Sequence, residues 1–320
     1  ESALVVGTFG RAIWVLDDLK SLREIVRGNT KEKITSLPMN EVIQVKGLFI
    51  APPGNIWTGF GTTFEGENRP FQEAAIPIYI NDLPSKEDKV EGFILNSKGD
   101  TIQKLTTQLL VQGLNYIQWK LDENRVYLSG NYDPNESRGI PVLPGTYIAV
   151  IKYKGVQSST SIKVISDPRF KMKEEVDQEL YRYNKALNFE VGRLKSFFNL
   201  INSWESELKK IHETLSKQTK NEKALKNVNG MIEMVKQLKL VGKDSPGDRQ
   251  VGAWQSVRIT PASAINEAEK VAMARVDIPS EQDWKRISDA ATLIDNYKLQ
   301  LSQFEVSSWK KFIKLYRKSN

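Results

Sequence analysis

Two adjacent carboxylates, Asp17-Asp18, a single histidine and two glycine-bearing loops are the residues on which chemistry could draw. Glycoside hydrolysis needs two acids facing one cleft about 5–10 Å apart. Neighbours on a strand point to opposite faces, so Asp17 and Asp18 are expected to be solvent-exposed or to cap a turn. His212-Glu213 opens like a helical zinc motif, but the position four residues on, where a second histidine belongs, is Ser216. A structural or surface histidine is the expectation. The stretch Asp133-Pro134-Asn135-Glu136-Ser137-Arg138-Gly139 alternates oxygen donors as a calcium loop does. Its twelfth position is Pro144 instead of a bidentate Glu, so it reads as a polar hairpin loop. Gly59-Phe60-Gly61-Thr62-Thr63-Phe64, behind Trp57, lacks the lysine and following helix of a phosphate loop. Its expected role is to cover or dock a β-domain. The absence of cysteine excludes disulfides, thiolate metal sites and cysteine nucleophiles. The residues therefore nominate no catalytic, cofactor-binding or metal-ligating side chain, and no cofactor.

The elements that would position any site change character partway along the 320 residues. Hydrophobic residues at 40% and charged residues at 27% are ordinary for globular chains, and the length suggests two or three domains. Residues 1–170 balance 19 basic against 19 acidic side chains, so the whole net charge of +7 falls in residues 171–320, with 27 against 20. No uncharged apolar run approaches the roughly 20 residues of a bilayer span, and no transmembrane segment is expected. The chain opens at Glu1 with neither an initiator Met nor a basic-then-apolar stretch, so any targeting peptide is expected to have been removed or never to have been in this piece. Its first strands want a sheet to join, because an isolated hairpin is marginal in water. A fragment of a longer protein is the expectation.

From Val45 to Ile165 the apolar residues follow strand logic. Ile76, Ile78 and Ile80 alternate with Pro77 and Tyr79, and Tyr147, Ala149, Ile151 and Tyr153 alternate with Ile148, Val150 and Lys152. Turn signals at Lys98-Gly99-Asp100, Gln112-Gly113, Pro144-Gly145 and Lys154-Gly155 divide about seven strands, which predicts an antiparallel β-sandwich with Trp119 as its large core residue. Pro144-Gly145 suits the centre of a type II turn. After Asp167-Pro168 the period becomes 3.5. Leu180, Leu187, Leu194, Ile201, Leu208 and Leu215 recur every seven residues, with Tyr183, Phe197, Trp204 and Ile211 at the complementary positions and Glu190 as the polar exception. This predicts a helix of about 45 residues. A second helix, capped by Asn221, would carry Leu225, Val228, Ile232, Val235 and Leu238. Residues 242–259 read as a loop, and Pro261 opens a short third helix. A long final helix from Pro279-Ser280-Glu281 would bear Trp284, Ile287, Ala291, Ile294, Leu301, Phe304, Phe312 and Leu315. The fold class is thus multidomain β plus α, ending in an antiparallel helical bundle.

The opening string Val5-Val6-Gly7-Thr8-Phe9-Gly10-Arg11-Ala12-Ile13-Trp14-Val15-Leu16-Asp17-Asp18 resembles the end of a bacterial sortilin-like β-propeller. That family is often labelled BNR or Asp-box repeat glycosyl hydrolase, and there the string reads like VGTHGRGIWVLDD. Phe9 and Ala12 replace the usual His and Gly. Glu65 to Tyr79 is similar to the family's segment leading into the next domain, with its first Pro and its Gly replaced. Gly99-Asp100-Thr101-Ile102, Gly113-Leu114-Asn115-Tyr116-Ile117-Gln118-Trp119 and Leu143-Pro144-Gly145-Thr146-Tyr147 are similar to a FlgD-type immunoglobulin-like module. The Asp-box pattern itself is absent, so no sialidase chemistry is carried over.

The resemblance implies three parts: residues 1–40 as the last propeller strands plus a linker, 41–168 as an immunoglobulin-like sandwich, and 169–320 as the helical bundle. It implies a non-catalytic C-terminal accessory region of an exported bacterial protein, outside the cytoplasm, whose partners are its own propeller and a protein bound through the bundle. The alternatives are accessory domains of a carbohydrate-active hydrolase whose active site lies in the propeller, and an oligomerising adhesin or assembly subunit. The basic excess of the helical part fits a solvated helix face, or an acidic partner or anionic membrane surface. No nucleic-acid motif accompanies it, and no nucleic-acid partner is expected.

Overall fold

A computed structural model describes residues 4–8, 12–16, 19–44, 73–108, 110–128, 139–168, 173–217, 222–243, 259–275 and 277–319. The chain is mixed α/β. In order, the first half carries β1 (Leu4–Thr8), β2 (Ala12–Leu16), α1 (Leu19–Val26), β3 (Ile34–Ser36), β4 (Val42–Gln44), β5 (Ala74–Ile80) and β6 (Val90–Leu95). It continues with β7 (Thr101–Thr107), β8 (Gly113–Trp119), β9 (Asp122–Glu123), β10 (Ile140–Pro141), β11 (Gly145–Tyr153) and β12 (Val156–Ser166). The helices that follow are α2 (Glu174–Ser216), α3 (Glu222–Gly242), α4 (Pro261–Ala274) and α5 (Glu281–Phe304). A π-helical turn (Glu305–Trp309) then leads into α6 (Lys310–Ser319). The chain divides into two compact units. One is Glu1–Arg125 with Pro134–Tyr181, and the other is Val126–Asp133 with Arg182–Asn320.

In the first unit a five-stranded sheet, ordered β4-β12-β11-β6-β7, and a three-stranded sheet, β3-β5-β8, contribute to one apolar core. Period-2 alternation does the sorting: Ile76, Ile78 and Ile80 of β5 are fully buried, as are Ala149, Ile151 and Tyr153 of β11. Trp119 is buried and meets Tyr147 edge-on at 5.3 Å between centroids. The β11–β12 hairpin turns on Lys154 and Gly155, at φ 44° and 80°, the two positive values of a type I′ connection. The structure departs from three expectations. Gly145 has no positive φ; it is the first residue of β11, opposite Val164, so Pro144-Gly145 is a strand entrance and not the centre of a type II turn. The sheet is not wholly antiparallel, because β4 lies parallel to β12 with Val42 opposite Val164. Finally, Ile34–Ser36, read as part of a linker, pairs with Ile78–Ile80 and is a strand of the smaller sheet.

The second unit is built on the heptad stripe. Helix α2 is 43 residues long, and Leu187, Leu194, Ile201, Leu208 and Leu215 are buried in a core shared with α3, α4 and α5. Glu190, the polar exception, is buried but bonded to Arg193 at 2.7 Å, and Arg193 also pairs with Asp295 of α5. Asparagine 221 lies outside the described residues. Capping boxes start α4 at Thr260 with Ser263, and α5 at Ser280 with Asp283. Arg275 reaches Asp283 at 2.7 Å.

The final helix departs from its heptads at one place. Ile287, Ile294 and Leu301 are buried every seven residues, as are Ala290 and Tyr297. The expected Ala291 is only partly buried. An unbroken repeat would next bury Ser308 and Leu315. Instead the turn Glu305–Trp309 closes with the Lys310 N–H donating to the Glu305 carbonyl, an i→i−5 bond that accommodates one extra residue. The stripe therefore resumes one position late, on Trp309, Phe312 and Tyr316, and Leu315 is 67% exposed. The π turn seats Trp309 beside Trp204 at 5.5 Å, a better core contact than a serine would give.

Candidate functional site

A buried polar constellation in the β-unit gathers around Asp122. Leu121 sits at φ 55°, a left-handed conformation that costs a residue with a Cβ about 1–2 kcal/mol. That geometry turns the following carboxylate inward, and Asp122 is almost fully buried. Its Oδ1 accepts from Gln103 Nε2 at 3.0 Å and its Oδ2 from the Gly139 N–H at 2.5 Å. Its carbonyl accepts from Trp119 Nε1 at 2.9 Å. A buried carboxylate is tolerable only with its lone pairs satisfied in this way. Gly139 is obligatory, because a Cβ there would lie 1.8 Å from the Glu123 carbonyl oxygen.

Glu123, also buried, accepts at Oε1 from the Tyr181 hydroxyl at 2.5 Å. Burial raises the Tyr181 pKa, and the bond to Glu123 raises it further. The Tyr147 hydroxyl donates to the Leu143 carbonyl at 2.7 Å and is pushed up to about 12 by burial and then by the Glu123 charge. A cavity of about 400 Å³ nearby in sequence is lined by Leu143, Pro144, Ser166, Glu174, Asp177 and Gln178. The carboxylates of this cluster are engaged in structural hydrogen bonds. What the arrangement does chemically is hold β7, β9, β10 and the core tryptophan together.

In the helical unit, a cavity of about 300 Å³ opens between α2 and α3, with Leu208 and Ile232 as apolar lining and Lys209, His212, Lys236 and Glu205 as polar lining. Glu205 is paired with Lys239 at 2.6 Å. His212 packs against its own helix: the Ser216 hydroxyl donates to the His212 carbonyl at 2.8 Å and approaches Nδ1 at 3.5 Å. Among the described residues, no group of three or more His, Asp or Glu is placed to hold a metal ion.

Of the other residues weighed from sequence, Asp17, Asp18, Trp57, Gly59–Phe64 and Asp133–Arg138 lie outside the described residues. Gly139 and Pro144 are described, the one at the Asp122 cluster and the other lining the cavity of about 400 Å³. The cluster of Asp122, Glu123 and Tyr181 was not singled out by sequence reading. Its one local signal is a carboxylate three residues after the core tryptophan. Among the described residues, no helix is long and apolar enough to cross a membrane. No protein-family model matches the chain, and no curated protein matches it.

Proposed function

We propose that this chain is a non-catalytic accessory region of an exported bacterial sortilin-like propeller protein, acting as a scaffold and interaction module outside the cytoplasm. On this reading the β-unit is a FlgD-type immunoglobulin-like spacer and the helical unit is a partner-binding arm. The observation that carries it is the β1–β2 hairpin. Its strands pair Leu4 with Leu16 and Thr8 with Ala12 in a two-stranded sheet of their own. Leu4, Val5 and Val6 are 47%, 61% and 44% exposed, so apolar side chains stand on both faces. Such a ribbon is stable only when further strands join it or a helix packs on it, and the last strands of a larger sheet meet the first condition.

The alternatives draw less support. The heptad stripe of α2, which an oligomerising adhesin would need as a seam, is used within the chain's own core. A carbohydrate-active parent would carry its acids elsewhere, because the buried acids described here serve as hydrogen-bond acceptors inside the fold. The test is the mass of the native protein from its source, detected with an antibody to the helical unit. A species tens of kDa heavier than the 36.4 kDa of this chain, with peptides preceding Glu1, is expected. A native species of 36.4 kDa would overturn the proposal.

A further inference from the structure

The geometry of α6 points to a docking surface for an anionic phospholipid bilayer. Between 310 and 318 the sequence holds Lys310, Lys311, Lys314, Arg317 and Lys318, and no acid. Trp309, Phe312, Ile313 and Tyr316 pack into the core of the helical unit, so one side of the helix is fixed. Lys310, Lys311, Lys314 and Arg317 are exposed on the remaining side. Lys310, Lys314 and Arg317 follow helical spacing, and Lys311 with Leu315 forms the adjoining row. Glu305 pairs with Lys310 at 3.2 Å at the near end, and beyond it the row of charge is uniformly positive.

The π turn is what places an aliphatic side chain in this field. By taking up one residue it exchanges Leu315 out of the core position, where it stands 67% exposed among lysines, while Val306 within the turn is 63% exposed. Lys310, Lys311, Lys314 and Arg317 stand along one convex helix face with Leu315 among them, a spread of positive charge that a layer of phosphates matches along its length. The headgroup layer of a bilayer conforms to such a face, pairs its phosphates with the cations and accepts shallow aliphatic side chains. The occupant is therefore a phosphate-bearing lipid surface, bound peripherally, with Trp309, Phe312, Ile313 and Tyr316 remaining in the core. This inference goes beyond the scaffold reading and stands independently of it.

The test is co-sedimentation of the full chain with phosphatidylcholine vesicles, with and without about one third phosphatidylglycerol. Partition onto the anionic vesicles is expected to be at least ~10-fold stronger, and to collapse in ~0.5 M salt. Lys311→Glu with Lys314→Glu should weaken it ~10-fold or more, and Leu315→Ser a few-fold, with unchanged thermal transitions. If the charge-reversed variant does not fold, Lys311→Gln with Lys314→Gln gives the same comparison at a smaller loss. Lys209→Glu with Lys210→Glu, exposed on α2, should leave partition unchanged. Equal partition onto both vesicle types, or an equal loss from the α2 variant, overturns the proposal. So does retention on polyglutamate without vesicle binding, which would assign the face to an acidic polypeptide.

Discussion

The β-unit and the helical unit bury similar kinds of side chain but are specified in different ways. In the helical unit a single period does most of the work: residues seven apart fall on one face, and the core follows from the sequence interval. In the β-unit, period-2 alternation assigns side chains to faces but leaves register open. Register there is held by polar bonds between distant residues. Asp122 ties in Gln103 and Gly139, Gln44 Nε2 donates to the Val142 carbonyl at 2.7 Å, and Thr160 Oγ1 donates to the Leu37 carbonyl at 3.0 Å. Periodic apolar order tolerates a local slip, as the π turn shows, whereas a polar hub does not.

The sharpest way to break the comparison is to add one methyl group to each unit. Gly139→Ala drives a Cβ into a backbone oxygen at 1.8 Å and displaces the N–H that Asp122 accepts. Backbone cannot yield as a flexible side chain does, so a loss of about 3 kcal/mol or more is expected, confined to the β-unit. Gly242→Ala meets the Tyr297 ring at 2.5 Å. That ring is buried and its hydroxyl is tied to the Leu238 carbonyl at 2.9 Å, so about 2 kcal/mol should be lost from the helical unit alone. Chemical denaturation followed by the tryptophans of each unit separates the two. Equal effects of either substitution on both units would contradict the comparison.

A smaller effect is expected from deleting Ser307. Removing the extra residue restores an ordinary α-helix with Trp309, Phe312 and Tyr316 one position earlier, in phase with Ile294 and Leu301. Stability within about 1 kcal/mol of the parent is the expected result. Loss of the folded helical unit would show that the π turn does more than take up one residue.

The smallest effect is electrostatic. Asp88 accepts from the Ser85 N–H at 2.7 Å and pairs with Lys154 at 2.8 Å. The bond from Lys154, then that from Ser85, lower its pKa from 3.8 to about 2. A carboxylate with a depressed folded pKa contributes stability above its unfolded pKa, and that contribution is lost as pH falls from about 4 towards 2. Carboxyl NMR titration should place Asp88 near 2, and Lys154→Met should move it up towards 3.8. A midpoint unmoved by that substitution would remove Lys154 as the cause.

How much of this was legible in the sequence follows the same division. The stripe from Leu187 to Leu215 and the alternation of Ile76, Ile78 and Ile80 were readable, because each face is set by a local interval. Leu315 was misassigned to the core, because the π turn at Glu305–Trp309 shifts phase without leaving a compositional trace. The Asp122 cluster was unreadable for the opposite reason: Gln103, Asp122, Gly139 and Tyr181 are far apart along the chain and share no period. Only the fold brings them together. Gly145 was misread because Pro-Gly specifies a tight bend in isolation, whereas pairing opposite Val164 draws it into a strand.

The division between the two compact units falls inside α2, between Tyr181 and Arg182, and the two are expected to lose stability separately. Hydrogen exchange read by mass spectrometry on Gly139→Ala tests this most directly. Peptides from 74–166 and the first two turns of α2 should lose protection, while those from 187–215 and 284–313 keep it. Uniform loss across both sets would contradict the account.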